Sequence, residues 1–317
     1  MYFLITFIRN LLFKHHIMKS RKYDDVFVLC VGNLRVGGTG KTPMIEYLIK
    51  HLMTEFPLAV ISLGYKRKTK GLKEVLLNDT TEEVGDEPKQ MKEKFPEIKF
   101  FVNKDRNEAI NNIRSNHKEI KLILLDDAYQ YRKTTPNATI LLTEYNRPYF
   151  QDFVLPYGRL RESKAQSKRA DYIVVTKTPN NVSAESKQNF IKHLKATSKQ
   201  QVFFSKIIYN LPKIENKNLL FVAGIDNPYP AVRFLEENGF NVLLEKFSDH
   251  YQFKDSDISR IVSISKQENR QIITTEKDFM RLKRFKGISF EVLKIENEID
   301  NNFLNILKND LRANIRS

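Results

Sequence analysis

A glycine-rich segment at residues 31–43, VGNLRVGGTGKTP, contains residue types that can bind phosphate groups. Glycines allow backbone N–H groups to turn toward phosphate oxygens, and a helix that starts at the end of such a loop adds its positive dipole end. In this P-loop, Lys41 is expected to reach the β- and γ-phosphates, and the Thr42 hydroxyl to bind Mg²⁺. The segment predicts binding of a nucleoside triphosphate; the alternative is a glycine-rich turn that binds nothing.

The loop departs from the usual spacing at one position. The usual pattern has a glycine five residues before the Gly-Lys pair, and Arg35 stands there in this chain. The predicted nucleotide-binding residues are Arg35, Val36, Gly37, Gly38, Thr39, Gly40, Lys41 and Thr42.

Two acids follow an apolar segment at residues 122–125, where a P-loop enzyme places its Walker B carboxylate. Asp126 and Asp127 would supply hard oxygen ligands near Thr42, and these three residues are the predicted Mg²⁺ ligands. Acids at strand ends are common in α/β proteins, so a purely structural role is the alternative.

Phosphoryl transfer to a hydroxyl also needs a proton acceptor and cations for the phosphate. Asp86, in a turn-like GDEP sequence, and His250, in FSDHYQF, are titratable candidates, although a single loop histidine is usually structural. Arg159 and Arg161, in LPYGRLRE, and Arg106 offer planar donors for phosphate. Their spacing alone does not distinguish this role from that of surface arginines.

The chain has 317 residues, 41% of them hydrophobic, which is enough for one large or two ordinary domains. Its net charge of +15 favours an anionic partner, which could be nucleic acid, phospholipid headgroups or a phosphorylated substrate. Cys30 is the only cysteine, so no internal disulfide can form, as is typical of a reducing cytoplasm.

The N-terminal 13 residues are strongly apolar, and several basic residues follow them. This segment is shorter than the roughly 20 residues that span a bilayer, and it lacks the features of a signal peptide. It favours an interfacial helix on an anionic membrane surface. A helix docked on the protein's own core is the alternative.

Apolar segments of strand length alternate with helical ones, which predicts an α/β fold with a layered, mainly parallel sheet of the P-loop NTPase type. A weaker pattern at 201–218 separates a second, smaller α/β unit. The predicted domains are a membrane-associating helix at 1–23, a kinase domain at 24–210 and a C-terminal α/β domain at 211–317. Within them, a helix is expected at 44–56 and a strand at 74–77.

The motifs together resemble those of the tetraacyldisaccharide 4′-kinase family of lipid A biosynthesis. They occur in the family's order across residues 31–278 and are VGNLRVGGTGKTP, VGDEP, DDAYQ, LPYGRLRE, KFSDHYQF and TTEKD. The P-loop alone is shared by many enzymes, whereas the VGN prefix together with GDEP and TTEKD is more specific. The family also has a residue other than glycine at the position of Arg35.

This resemblance implies ATP- and Mg²⁺-dependent phosphorylation of the 4′-hydroxyl of tetraacyldisaccharide 1-phosphate, which gives lipid IVA. It places the protein at the cytoplasmic face of the inner membrane of a Gram-negative bacterium. It also implies a smaller C-terminal domain joined by a β-stranded linker, with ATP and acceptor meeting between the domains. A monomer with no nucleic-acid partner is expected.

Residue roles follow from the resemblance where the motifs match. Asp86 resembles the family's catalytic base, and His250 resembles the partner of that base. The full predicted catalytic set is Lys41, Asp86, Arg106, Arg161, Glu162 and His250. Two departures are that Ala128 and Tyr129 replace Gly-Phe after the strand-end acids, and that Leu63 replaces an arginine.

Two other functions fit parts of the sequence. One is a P-loop kinase of a soluble small molecule, in which the N-terminal helix would pack on protein. The other is a nucleotide-dependent switch or a nucleic-acid-associated ATPase, which the basic charge permits. The Asn-Lys-x-Asp motif that recognises guanine is matched only weakly, because Thr176 replaces its Asn and Pro179 replaces its Asp.

Overall fold

The computed structural model of the protein describes residues 2–249, 251–300 and 302–315. The helices are α1 Tyr2–Lys14, α2 Lys41–Leu52, α3 Thr81–Val84, α4 Asp86–Lys94, α5 Arg106–Asn116, α6 Ala184–Leu194, α7 Tyr229–Glu237, α8 Asp255–Gln267, α9 Glu276–Leu282 and α10 Asn302–Ile315. The strands are β1 Phe27–Asn33, β2 Leu58–Ser62, β3 Lys73–Glu74, β4 Lys99–Val102, β5 Leu122–Asp126, β6 Ala138–Glu144, β7 Tyr172–Thr176, β8 Gln201–Asn210, β9 Asn218–Ala223, β10 Asn241–Lys246, β11 Gln271–Thr275 and β12 Glu291–Ile299.

The strands form one sheet in the order β10-β9-β11-β12-β8-β7-β6-β1-β5-β2-β4-β3. From β8 to β4 all neighbours are parallel, and only the short edge strand β3 runs antiparallel. Strand β1 lies at the centre, and every one of its residues is buried because helices cover both faces of the sheet. The predicted α/β fold with a mainly parallel sheet is confirmed.

A second group of parallel strands, β10-β9-β11-β12, continues the sheet through an antiparallel pair between β12 and β8. Ile295 lies opposite Tyr209 in this pair. The weak pattern at 201–218 therefore includes a ten-residue strand. Its signal is weak because only residues 203–205 are buried, while the second half of β8 is partly exposed.

The C-terminal helix α10 packs on the first group of strands, which runs from β8 to β3 in the sheet order. Its residues Phe303, Leu307 and Leu311 are fully buried in the same core as Leu29 of β1 and Leu48 of α2. The predicted C-terminal domain at 211–317 therefore differs from the observed packing, because its last helix completes the core of the first group.

Three further predictions about individual elements also differ from the structure. The helix expected at 44–56 begins at Lys41, directly after a left-handed Gly40, and the strand expected at 74–77 is only Lys73–Glu74. Asp86 is not in a turn: it is the first residue of α4 and follows Gly85, whose φ of 94° favours glycine.

Helix α1 packs one face on the protein and leaves the other exposed. Thr6, Asn10 and Phe13 are buried, whereas the exposed residues before the terminal Lys14 are apolar, namely Leu4, Ile5, Phe7, Ile8 and Leu11. Among the described residues, no helix has the length and hydropathy needed to cross a membrane.

Candidate active site

The P-loop connects the end of β1 to the start of α2. Gly37 and Gly40 have φ values of 114° and 88°, a left-handed conformation that side chains other than hydrogen disfavour. Gly40 is the N-cap of α2, and no side chain of the described residues caps this helix end. The first N–H groups of α2 and its positive dipole end therefore face the loop, which makes this an anion-binding position.

The first half of the loop pairs with the LPYGRLRE segment. The Val36 N–H donates to the Arg159 carbonyl over 2.8 Å, and the Arg161 N–H donates to the Leu34 carbonyl over 2.7 Å. This antiparallel pairing holds the chain extended on both sides of position 35, a conformation that any residue can adopt. The first glycine of the usual pattern is therefore unnecessary here.

The Arg35 side chain points to carboxylates beside the loop. Its Nη1 lies 3.4 Å from an oxygen of buried Glu144, and its Nε lies 3.0 Å from an oxygen of Asp152. Glu144 also pairs with Lys177 and Arg147. Arg35 thus belongs to a cluster of charges that supports the loop from the side.

Three residues with no role predicted from the sequence fix the second half of the loop. The Asn33 amide donates to the Thr39 hydroxyl over 2.6 Å, the Thr176 hydroxyl donates to the Thr39 carbonyl over 2.9 Å, and Lys177 donates to the Gly38 carbonyl. Their positions at the ends of β1 and β7 are the signal that could have identified them, because these strand ends flank the P-loop.

The strand-end acids lie next to the predicted cations. Arg161 binds Asp127 through two nitrogens at 2.7 and 3.2 Å, and Lys41 Nζ lies 3.7 Å from the same carboxylate. Arg161 also donates to the Asn33 side chain. Burial raises the pKa of Asp127, but the charges of Lys41 and Arg161 outweigh this effect and hold that pKa below its usual value.

Asp126, in contrast, forms no ion pair with another described residue. It is 2% exposed, and its Oδ1 has no hydrogen-bond partner among the described residues. Burial, together with the charges of Glu87 and Asp127, raises its pKa to about 7 despite Lys41 and Arg106. A divalent cation would offset this burial, so the environment of Asp126 fits an Mg²⁺ ligand.

The candidate base Asp86 lies where α4 packs against α9 of the second group of strands. Its carboxylate is 3.5 Å from Nε of Arg281 on α9. Glu87, the next residue on α4, influences Asp126 electrostatically, which shows that the start of α4 is near the strand-end acids. His250 lies outside the described residues.

Arg106 is buried at the start of α5. It donates to the Lys104 carbonyl over 3.0 Å, and its guanidinium lies 5.3 Å from the centre of the Tyr131 ring. Burial lowers the pKa of Arg106, and the charges of Asp127 and Asp126 oppose this effect. Arg106 therefore contributes positive charge near the predicted metal site.

Glu162 follows Arg161 in the sequence but contacts α1 and Arg169. It is 0% exposed, and its two oxygens pair with Arg9 of α1 and with Arg169, each at 2.5 Å. The Asn10 amide adds a hydrogen bond of 3.1 Å. The described contacts of Glu162 thus attach α1 to the protein.

Comparisons with known proteins find relatives that match nearly the whole chain. A family model described as tetraacyldisaccharide-1-P 4′-kinase matches residues 1–312. The tetraacyldisaccharide 4′-kinase of Flavobacterium johnsoniae is 42% identical over 300 residues, which cover 91% of this chain and 87% of that protein. The protein of that name from Porphyromonas gingivalis strain W83 is 36% identical over 292 residues, covering 87% and 82%.

A solved structure shows the same fold. The "apo" form of LpxK from Aquifex aeolicus, crystallised with ATP, matches with a TM-score of 0.76 and 24% identity over 98% of this chain and 96% of that chain. With the family model spanning nearly the whole chain, this protein belongs to the tetraacyldisaccharide-1-P 4′-kinase family.

Proposed function

We propose that the protein transfers the γ-phosphoryl group of ATP to the 4′-hydroxyl of tetraacyldisaccharide 1-phosphate, forming lipid IVA. The observation that carries this proposal is the cluster of Lys41, Asp127 and Arg161 at the P-loop. Asp86 begins α4, and the charge of the next residue, Glu87, acts on the strand-end acid Asp126. The names and extent of the matching relatives support the same substrate.

On the donor side, Lys41 and Arg161 would bind the triphosphate. Both now contact Asp127, and the denser negative charge of a γ-phosphate would compete for them. Thr42 and Asp126 would hold Mg²⁺, which when bound neutralises charge on the phosphate oxygens. The glycines of the loop leave room for the phosphates close to the backbone N–H groups.

On the acceptor side, Asp86 would accept the proton of the 4′-hydroxyl. The hydroxyl oxygen forms a bond to the γ-phosphorus, the bond from that phosphorus to the β,γ-bridging oxygen breaks, and ADP leaves. His250 is proposed as the partner of Asp86 in this step, as the family resemblance implies.

A kinase assay tests the proposal. With ATP, Mg²⁺ and tetraacyldisaccharide 1-phosphate, the protein should add a second phosphate to the lipid, and Lys41→Ala should nearly abolish this activity. Asp86→Asn should lower kcat by on the order of 10²-fold or more, because a base acts on the chemical step, while the KM for ATP changes little. Glu93→Gln, on the same helix, is the matched control.

Two results would contradict the proposal. Phosphorylation of a soluble acceptor without lipid phosphorylation would favour the soluble-metabolite kinase. ATP hydrolysis stimulated by RNA or DNA, again without lipid phosphorylation, would favour the nucleic-acid-associated ATPase.

We also propose that α1 lies in the surface of an anionic membrane, at the cytoplasmic face of the inner membrane. Its exposed face is apolar as far as Lys14, the basic last residue of the helix, and Lys19, Arg21 and Lys22 follow α1. Flotation with anionic phospholipid vesicles should recover the protein, and Ile5→Ser with Ile8→Ser should reduce recovery. Ile208→Ser with Leu211→Ser, which changes exposed apolar residues elsewhere, is the control. Equal recovery of both double variants would refute this placement.

A further inference from the structure

We infer that Arg281 is a positioning residue for phosphoryl transfer. It contacts both the carboxylate of Asp86, in the first group of strands, and the carbonyl of Tyr251, the residue after His250, in the second group. It therefore holds these two parts of the chain in a fixed relative position. This inference rests on the proposed role of Asp86 as the base. Arg281 lies on α9, in the second group, whereas Asp86 begins α4 in the first group.

One guanidinium contacts three separate parts of the chain. Its Nη1 donates a hydrogen bond to the Tyr251 carbonyl over 2.7 Å. Its Nε and Nη2 form ion pairs without hydrogen-bond geometry, at 3.5 Å from Oδ2 of Asp86 and at 3.1 Å from Oδ1 of Asp278. Tyr251 directly follows His250 in the sequence. The Arg281 side chain is 2% exposed, so solvent does not weaken these contacts.

Asp278 holds the guanidinium in place. It is fully buried, and its Oδ2 accepts hydrogen bonds from the Gly224 N–H at 2.9 Å and from the Thr275 hydroxyl at 2.7 Å. These donors lie directly after β9 and at the end of β11, which are hydrogen-bonded neighbours in the sheet. Arg281 therefore has a fixed anchor in the second group and reaches from it to Asp86.

Other ion pairs between α4 and α9 are more exposed. Lys283 pairs with Glu93 at 2.5 Å, and Lys277 lies 3.8 Å from Glu87, with a quarter to a third of each side chain accessible. Lys94 of α4 lies 3.3 Å from Glu276 of α9, and these side chains are 30% and 14% exposed. Exposed pairs contribute little to position or stability because solvent screens them and the side chains remain mobile. Among the described ion pairs that join these two helices, the pair of Arg281 and Asp86 has the most buried cation, which is why Arg281 can fix the base.

The test compares Arg281→Gln and Arg281→Lys with Lys283→Gln in the full-length protein. Arg281→Gln should lower kcat by on the order of 10²-fold, since misplacing a reacting group by about 1 Å has this effect. The KM for ATP should change little, because the P-loop contacts remain. Arg281→Lys should restore part of kcat, because its ammonium keeps the charge but cannot reach three partners. Lys283→Gln should behave like the wild type.

Thermal unfolding of each variant separates this effect from loss of folding. A folded Arg281→Gln variant with wild-type kcat would overturn the inference, and so would a rise in the KM for ATP that matches the fall in kcat. If Arg281→Gln does not fold, Arg281→Lys decides, and wild-type kcat in that variant would overturn the inference. Failure of the proposed function would be distinct, since the wild-type protein itself would then not phosphorylate the lipid.

Discussion

Arg35 supports the P-loop at a position where the usual sequence pattern has glycine. It stands where the usual pattern has glycine, yet its backbone is extended and paired with Leu160. Its guanidinium lies between Glu144 and Asp152, and Glu144 is buried and in contact with two further cations. Arg35 is therefore a structural support of the P-loop, and its charge offsets that of buried carboxylates.

Arg35→Ala should lower the free energy of unfolding by about 1–3 kcal/mol, because Glu144 would lose one of its charge-assisted partners but keep the others. Denaturant unfolding measures this change. Arg159→Ala, which truncates an exposed arginine in the paired segment, should have almost no effect and is the control. An Arg35→Ala variant as stable as wild type would show that the cluster contributes nothing to stability.

Gly32, in the VGN prefix, has a steric role. A Cβ built there lies 2.7 Å from the Tyr129 Cβ and 2.9 Å from the Tyr129 backbone N. We therefore expect Gly32→Ala to cost about 1–3 kcal/mol of stability, as overpacking does. It should also lower kinase activity, because the turn that carries Asp127 would move.

The control for this prediction is Gly38→Ala, since no heavy atom lies within 4 Å of a Cβ at Gly38. Denaturant unfolding of both variants makes the comparison. Equal stability of the two would contradict a steric role for Gly32.

At the scale of elements, the attachment of α1 depends on Glu162. Its carboxylate pairs with Arg9 and Arg169 and accepts from Asn10. Glu162→Gln should weaken these contacts by roughly 1.5–3 kcal/mol, the contribution of hydrogen bonds to charged groups. Amide exchange in α1 should therefore become about tenfold faster or more, as measured by hydrogen–deuterium exchange.

Lys14→Gln, at the exposed end of the same helix, should leave exchange unchanged. The experiment also separates the structural role of Glu162 from the catalytic role that the family resemblance suggests. Loss of kcat in Glu162→Gln without faster exchange in α1 would favour the catalytic role and contradict the attachment.

The sequence predicts best those elements whose signal is local. The P-loop and the strand-end acids follow from short motifs, and the central strands follow from apolar segments that are buried on both faces. The role of Arg281 has no such signal, because its partners Asp86 and Tyr251 are 195 and 30 residues away in the chain. Contacts of this kind depend on how the two groups of strands are placed, which periodicity does not encode.

At the scale of the whole molecule, the chain crosses twice between the two groups of strands. It leaves the first group along β8, returns along the antiparallel β12 and ends in α10. A single predicted boundary at residue 210 misses this return, since α10 is an amphipathic helix that would suit either core. The packing of Phe303 and Leu307 beside β1 shows which core it completes.

Because α10 packs on the first group of strands, the hydrophobic core of that group depends on this last helix. Leu307 is fully buried there, so Leu307→Ala should lower the free energy of unfolding by about 2–5 kcal/mol. Amide protection should fall in β1 and β6, which lie in that core, because opening α10 exposes it. Asn305→Ala, on the exposed face of α10, is the control. Protection lost only in β9 and β11, with β1 unchanged, would instead place α10 with the second group.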